Sequence, residues 1–211
     1  VKGREGIYEW LPKLDSEYAS AFREGNSDHF SFYIANTIKK FGAAYDFESH
    51  AARMIERVKK WGFNSIGAFS PVPEKAAFPY VAHLPTNEWE GVPRIPGAHE
   101  VWDPFDAARS AKIAENIARE VPARANDPLL IGWFIVNEPR YDELPRVIPS
   151  LDGKHACKRE LVAALKAKYS TVEAFNTAWQ AKAASFDELI GSGLAVTTDA
   201  AKADVKAFVG V

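Results

Sequence analysis

Stretches with apolar residues at helical spacing alternate along the chain with short runs that are almost continuously apolar. Between Asp46 and Trp61 the apolar side chains recur every three or four positions, with charged residues between them, which predicts a helix with one buried face. Asp46 is placed to cap this helix and Gly62 to end it. The pair Asp103-Pro104, a capping carboxylate before a proline, predicts a second long helix that extends to about Val121.

Three apolar runs predict β-strands, at residues 63–69, 78–84 and 129–136. The last is the clearest, because its eight residues are apolar or Gly without alternation, as a parallel strand buried on both faces requires. The segment that follows the second run, up to Trp102, is rich in Pro, Gly and aromatic residues, and its length suggests either function or disorder.

The remaining elements are helical. Residues 14–23 predict a helix, and residues 30–41 favour a helix over a strand. Further helices are predicted at residues 155–169, after the capping pair Ser170 and Glu173, and after Ser185. The alternation of strands and helices along the chain indicates an α/β fold with a parallel sheet, and we expect one domain over residues 1–211.

Charge and composition exclude several classes of protein. There are 26 Lys plus Arg against 28 Asp plus Glu, a formal net charge of −2, so the chain has no basic surplus for nucleic acid or an anionic membrane. Cys157 is the single cysteine, and the five His are scattered, so neither a disulfide nor a zinc site is expected. No metal or cofactor is predicted. No apolar run reaches the ~18 to 20 residues that cross a bilayer. The chain begins with Val1 and shows no signal-peptide core, which leaves localisation open.

The residues best suited to chemistry are Asn137-Glu138-Pro139, directly after the third apolar run. In parallel α/β folds, reacting side chains lie where strands end. Walls of low polarity would disfavour the ionised form of Glu138 and let it serve as a general acid. Asn137 adds a neutral donor suited to a sugar hydroxyl. The alternative is that Glu138 caps a turn or pairs with Arg140.

Several motifs resemble one enzyme family. They are FYIANTIKKFG at residues 32–42, KWGFNSIG at 60–67, WDPFD at 102–106, DPLLIGWF at 127–134 and the Asn137-Glu138 pair. Together they resemble the retaining (β/α)8 glycoside hydrolases of the clan that includes β-galactosidases, cellulases and β-agarases, and most closely the exo-acting β-agarases. Residues 168–179 resemble a segment that those agarases share with the barrel β-galactosidases.

This resemblance implies a partial or complete (β/α)8 TIM barrel that hydrolyses β-glycosidic bonds in galactose-containing saccharides. Glu138 would be the acid/base, and Asn137 would contact the sugar 2-hydroxyl. The clan also acts on glucans and mannans, and Asn137-Glu138 does not distinguish these substrates.

The sequence departs from the family pattern at two points. Ala68-Phe69-Ser70-Pro71 stands where the family has Asn-Trp-Ser and an acid. The clan's nucleophile lies on the seventh strand, and nothing after Glu138 resembles a strand that ends in Glu. We therefore expect a fragment, truncated at both ends and inactive alone, whose unpaired sheet edges favour self-association. Asp142 and Glu143 are poor substitutes, because loop carboxylates are usually solvated. The alternative is a non-catalytic carbohydrate-binding or structural relative.

Aromatic side chains at strand ends and in the following loops are candidate sugar contacts, because sugar rings pack on aromatic faces. His83, at the end of the second predicted strand, is a further candidate substrate contact. Three other tryptophans, Trp61, Trp133 and Trp179, fall on helix or strand positions and are assigned to the core. The candidate aromatic contacts are Phe69, Trp89, Trp102 and Tyr141.

Overall fold

The computed structural model describes residues 2–23, 26–70 and 77–210, and the side chains of residues 26–28 and 89 lie outside this description. The chain divides into two compact units, Val1–Tyr80 and Val81–Val211. The single barrel domain expected over residues 1–211 stays a prediction.

The described residues of the first unit form a short antiparallel pair and two α-helices. Strands β1 (Phe22–Arg23) and β2 (Asn26–Phe30) pair with each other and precede helices α1 (Phe32–Phe41) and α2 (Phe47–Lys60). The predicted caps of α2 are confirmed, since the Asp46 carboxylate accepts from the Ser49 N–H at 2.8 Å and Gly62 follows the helix with φ of 85°. The preference for a helix in residues 30–41 is likewise confirmed.

Three expectations for this unit are wrong. Residues 14–21 form turns and a 3-10 helix (Ala19–Ala21), and residues 22–23 belong to β1. The Ser16 hydroxyl donates to the Lys13 carbonyl and accepts from the Tyr18 N–H, in competition with helical bonds. The strand expected at 63–69 is reduced to one parallel bridge between Ile66 and Tyr80, because a turn follows at residues 67–70. Trp61 is 64% exposed, because it lies one residue past the end of α2.

The second unit begins with two paired strands. Strands β3 (Tyr80–His83) and β4 (Leu130–Phe134) are hydrogen-bonded neighbours, and helix α3 (Ala107–Glu120) lies between them in sequence. They match the strands predicted at 78–84 and 129–136. The Leu84 N–H donates to the Phe134 carbonyl at 2.9 Å and the Thr86 hydroxyl to the Ile135 carbonyl at 2.7 Å. Both strands therefore end at the same edge of the sheet.

The expectation that β4 is buried on both faces is wrong for the described part of the chain. Ile131 and Ile135 are more than half exposed, and Trp133 is partly buried. Ile131 and Ile135 lie on the same face of β4, and the described residues leave this face uncovered. The sheet formed by the described residues also has two strands, so β4 is paired on one edge and open on the other. A mixed helix-and-sheet fold is confirmed.

The start of α3 also differs from the prediction. Asp106, not Asp103, caps the helix by accepting from the Ala108 and Arg109 N–H groups. Asp103 is buried and accepts instead from the Cys157 N–H at 2.9 Å. Cys157 lies in the first turn of the helix at 156–169, whose own N-cap residue makes no side-chain bond. Asp103 thus accepts a hydrogen bond from the first turn of a helix, at a residue 54 positions further along the chain.

Five helices complete the second unit: α4 (Leu144–Ser150), α5 (Ala156–Tyr169), α6 (Val172–Trp179), α7 (Phe186–Gly191) and α8 (Asp199–Val209). Their apolar faces form the main buried cluster, which includes Trp179 as predicted and packs against Ile95, Ala98 and Val101 of the loop before α3. Ser185 caps α7 as expected. Thr171 caps α6 in place of Ser170, whose φ of 61° ends α5.

Candidate active site

The loop after β4 carries the candidate acid. Glu138 lies four residues beyond the end of β4, in a bend, with a left-handed φ of 50°. For a residue with a side chain, such a backbone conformation costs about 1–3 kcal/mol, and residues held in this way cluster at functional sites. Pro139 contributes locally, because its ring disfavours the right-handed helical region for the residue before it. The chain therefore cannot readily continue from β4 into a helix at this point.

The surroundings of Glu138 differ from the expectation. Its side chain is exposed and that of Asn137 is half-buried. The low-polarity walls expected around the carboxyl are not supplied by the described residues, because β4 has an open side and residues 135–138 lie beyond its last strand position. The catalytic role of Glu138 and the sugar contact of Asn137 stay predictions.

The neighbouring charges are already engaged. The Arg140 guanidinium donates two hydrogen bonds to Asp142, at 2.8 and 2.7 Å, rather than pairing with Glu138. These hydrogen bonds lower the pKa of Asp142 and raise that of Arg140. Asp142 is thus held ionised by a cation, which makes it a poor substitute for a second catalytic carboxylate.

His83 belongs to the same sheet edge. It is the last residue of β3, is exposed, and packs edge-on against Phe134, with 5.3 Å between ring centroids. Because β3 and β4 end together, the fold brings His83 and the Asn137-Glu138 loop to the same edge, as the sequence predicts for the carboxyl ends of neighbouring strands.

Arg94 connects this edge to the loop before α3. Its side chain is 9% exposed, and it donates to the Thr86 carbonyl at 2.9 Å and to the Glu100 carboxylate at 2.5 Å. Its guanidinium carbon also lies 5.6 Å from the centre of the Trp102 ring. Sequence reasoning missed Arg94, although it is the sole Lys or Arg between residues 85 and 102, a signal that could have identified it.

Two candidate aromatic contacts share one pocket. Trp102 and Tyr141 both line a cavity of about 330 Å³ in the second unit, together with Phe105 and Phe208. Tyr141 is half exposed. This volume lies in the range of small-molecule sites. Neither Asn137 nor Glu138 is among the residues that line it.

A wider cleft lies beside the Glu138 loop. It has a volume of about 630 Å³, and its polar lining residues include Arg94, His99 and Glu143. The His99 carbonyl accepts from the Arg140 N–H at 2.9 Å, which joins the cleft wall to the segment that follows Glu138.

The other two candidates are placed elsewhere or lie outside the description. Phe69 belongs to the first unit and is 68% exposed. The backbone of Trp89 lies in a 3-10 turn (Glu88–Glu90), but its side chain is outside the described residues. Their roles stay predictions.

Two further properties concern the described residues as a whole. Within the described ranges, no three His, Cys, Asp or Glu side chains are grouped so that they could hold a metal ion. The helices in those ranges are too short or too polar for any of them to cross a membrane.

Comparison with known proteins supports the resemblance that the motifs indicate. No family model matches the chain. The chain is similar to β-agarase B of Vibrio sp. (strain JT0107), with 29% identity in a match that covers 88% of this chain and 22% of that protein. It therefore spans about a fifth of the curated relative.

Several solved structures have a similar fold. The fold resembles PfGH50B (TM-score 0.73, 21% identity), with 99% of this chain and 34% of that chain covered. It also resembles an exo-β-agarase (TM-score 0.71, 22% identity; 99% and 32% covered) and a further agarase (TM-score 0.69, 24% identity; 98% and 33% covered). The resemblance to β-agarases predicted from the motifs is confirmed.

Proposed function

We propose that the protein carrying this chain is a glycoside hydrolase that cleaves β-glycosidic bonds in galactose-containing polysaccharides or oligosaccharides, as an agarase does. The observation that carries the proposal is the 88% coverage of this chain by its match to β-agarase B. The position of Asn137-Glu138 after β4 supports it, because catalytic side chains of α/β enzymes emerge where strands end.

The proposal includes a (β/α)8 barrel of which this chain forms part. In this arrangement β3 and β4 are neighbouring barrel strands, and α3 is the crossover helix between them. The open side of β4 would be occupied by the next barrel strand, from outside the described residues. Such a neighbour would also reduce the exposure of Ile131 and Ile135 and supply low-polarity surroundings for Glu138.

The mechanism proposed is retention through two carboxyl groups. Glu138 gives its proton to the glycosidic oxygen as the bond from that oxygen to the anomeric carbon breaks, and a second carboxylate bonds to the same carbon. Glu138, now ionised, then removes a proton from water, whose oxygen displaces the second carboxylate. The second carboxylate would come from outside these 211 residues.

A substitution at Glu138 tests the proposal. In the full-length protein, Glu138→Gln should reduce hydrolysis of agaro-oligosaccharides by about 10²–10⁴-fold, the usual contribution of a positioned general acid, with substrate binding retained. Asp142→Asn is the matched control, because that carboxylate is four residues away and already bound to Arg140. Hydrolysis by Glu138→Gln at the parental rate would refute the assignment.

A non-catalytic carbohydrate-binding role is the second candidate. It is favoured by the exposure of Glu138 and by the bidentate pairing of Asp142 with Arg140. The same experiment distinguishes the two functions, because a binding protein would retain agaro-oligosaccharides while neither the parental protein nor Glu138→Gln released products.

A further inference from the structure

A groove between α1 and α2 in the first unit is lined by basic side chains. Its volume is about 200 Å³, and its lining includes Lys40 of α1 with His50, Arg53 and Arg57 of α2. No carboxylate is among its lining residues. We call this set, with Tyr33, the cationic groove. The whole chain has a formal net charge of −2, so this concentration of positive charge is a local feature and not a consequence of composition.

Lys40, Arg53 and Arg57 are the permanent cations among the described residues that line the groove. Within the described ranges, Lys40, Arg53 and Arg57 form no ion pair with a carboxylate, whereas the neighbouring Glu56 pairs with Lys59 at 3.2 Å. Asp46 is near enough for Arg53 to contribute to its lowered pKa, but that carboxylate is bound to Ser49 and does not line the groove. The positive charges therefore remain uncompensated where they meet the groove.

The Phe41 ring lies near two of these cations. The Arg53 guanidinium lies 4.5 Å from the centre of the Phe41 ring, and the Lys40 ammonium lies 5.7 Å from the same ring. A cation over an aromatic face is stabilised through the π-system and keeps its N–H donors available. Arg53 and Lys40 are thus positioned with donors free for a ligand.

The floor of the groove is tied across the two helices. The Tyr33 hydroxyl of α1 lies 3.1 Å from Nε2 of His50 on α2, and 3.9 Å from the Met54 sulfur. Partial burial lowers the pKa of His50, and the positive charges of Arg53 and Arg57 lower it further. The share of this lowering that comes from Arg53 and Arg57 reflects the same positive charge that an anion in the groove would meet.

We propose that the cationic groove binds a sulfate ester of a galactan chain. Guanidinium groups offer paired donors to tetrahedral oxyanions, and the groove presents two of them with a third cation. The Tyr33 and Phe41 rings supply apolar edges for a sugar ring, and Asn36 supplies polar groups for its hydroxyls. The Thr37 hydroxyl donates to the Tyr33 carbonyl at 2.8 Å and so offers its oxygen as an acceptor. The choice of a galactan as the carrier of the sulfate rests on the proposed function.

Binding to the full-length protein tests this inference directly. The probe is a sulfated galactan tetrasaccharide, compared by calorimetry with the desulfated tetrasaccharide and with inorganic sulfate at low and moderate salt. We expect the sulfated sugar to bind at least tenfold more tightly than either comparison ligand, and its affinity to fall as salt increases. Equal affinity of the sulfated and desulfated sugars, or of the sulfated sugar and inorganic sulfate, would overturn the inference.

Single substitutions locate the site. Arg53→Gln and Arg57→Gln should each weaken binding of the sulfated tetrasaccharide by about tenfold, the usual effect of losing one hydrogen bond to a charged group. Lys60→Gln is the matched control, because it removes the same charge from an exposed position at the end of α2 that does not line the groove. A loss with Lys60→Gln equal to that with Arg57→Gln would show non-specific attraction and overturn the assignment.

The result of this binding test can be distinguished from the result of the hydrolysis test of the proposed function. Hydrolysis of a neutral agaro-oligosaccharide by the full-length protein depends on Glu138 and not on the groove. Hydrolysis without binding of the sulfated sugar would overturn this inference alone. Groove-dependent binding without any hydrolysis would support this inference and contradict the enzymatic proposal.

Discussion

The carboxylate of Asp204 is predicted to be a principal source of stability in the second unit. It is 7% exposed, on α8, and accepts hydrogen bonds from the Tyr169 hydroxyl at 2.6 Å, from the Trp179 indole at 2.8 Å, and from the Lys168 ammonium. These donors lie on α5 and α6, so one side chain connects three helices. Burial alone would raise the pKa of Asp204, but the three hydrogen bonds together lower it.

The magnitude follows from the groups that Asp204→Ala would leave without an acceptor. Lys168 is 57% exposed and can turn to water, so its contribution is small. The Trp179 indole is buried and the Tyr169 hydroxyl half-buried, and each donor left unsatisfied costs about 1–3 kcal/mol. The free energy of unfolding should therefore fall by about 3 kcal/mol, allowing for partial rescue of Tyr169 by water.

Urea unfolding followed by tryptophan fluorescence measures this loss as a shift of the transition midpoint multiplied by its slope. Asp199→Ala is the control, since that carboxylate is fully exposed on the same helix and should have a much smaller effect. The difference between parental protein and Asp204→Ala should be complete above the ordinary pKa of 3.8 and shrink as pH falls through the lowered pKa of the folded state. A loss below about 1 kcal/mol at neutral pH would refute the reasoning.

Three further predictions concern α5 and the residues that contact it. Asp103→Ala should lower the free energy of unfolding by about 1–3 kcal/mol, because it leaves the buried Cys157 N–H without its acceptor. Asp106→Ala should cause a smaller loss. Urea titrations of both variants would check this, and equal losses would contradict it. Burial, followed by the charge of Asp103, raises the pKa of the Cys157 thiol to about 12, so alkylation by iodoacetamide at pH 8 should occur only on unfolding. Labelling of the native protein as fast as that of a free thiol would contradict it. Burial lowers the pKa of Lys158 from 10.5 to about 8, so between these pH values the unfolded state binds more protons than the folded state. The free energy of unfolding, measured relative to that of Lys158→Met, should therefore rise as the pH increases over this range. A pH-independent difference between the two proteins would refute this.

Local sequence pattern predicted the elements whose signals lie within a few residues. The apolar spacing of residues 47–61 and the cap at Asp46 specify α2, and the apolar run 129–136 specifies β4. Patterns failed where distant partners decide the outcome. Asp103 and Asp106 both precede a helix, and only the fold reveals that the first serves α5.

The candidate site, like the fold, could be predicted from the sequence only where local residues decide its structure. The place of Glu138 after β4 could be predicted, because strand ends are local and face one edge of a sheet. Its exposure could not, since burial depends on which elements pack beside the loop. Arg94 was missed for a related reason, because its partners Thr86, Glu100 and Trp102 converge only when the loop folds back on itself.

The most direct test of the account is whether Glu138 transfers a proton to the departing sugar oxygen. In the full-length protein, kcat/KM of parental enzyme and Glu138→Gln would be compared on agaro-oligosaccharides carrying a series of aryl leaving groups. We expect a loss that is small for acidic phenols, which need no proton, and that grows with the pKa of the leaving group. A loss of the same size for every leaving group, or none for any, would contradict it.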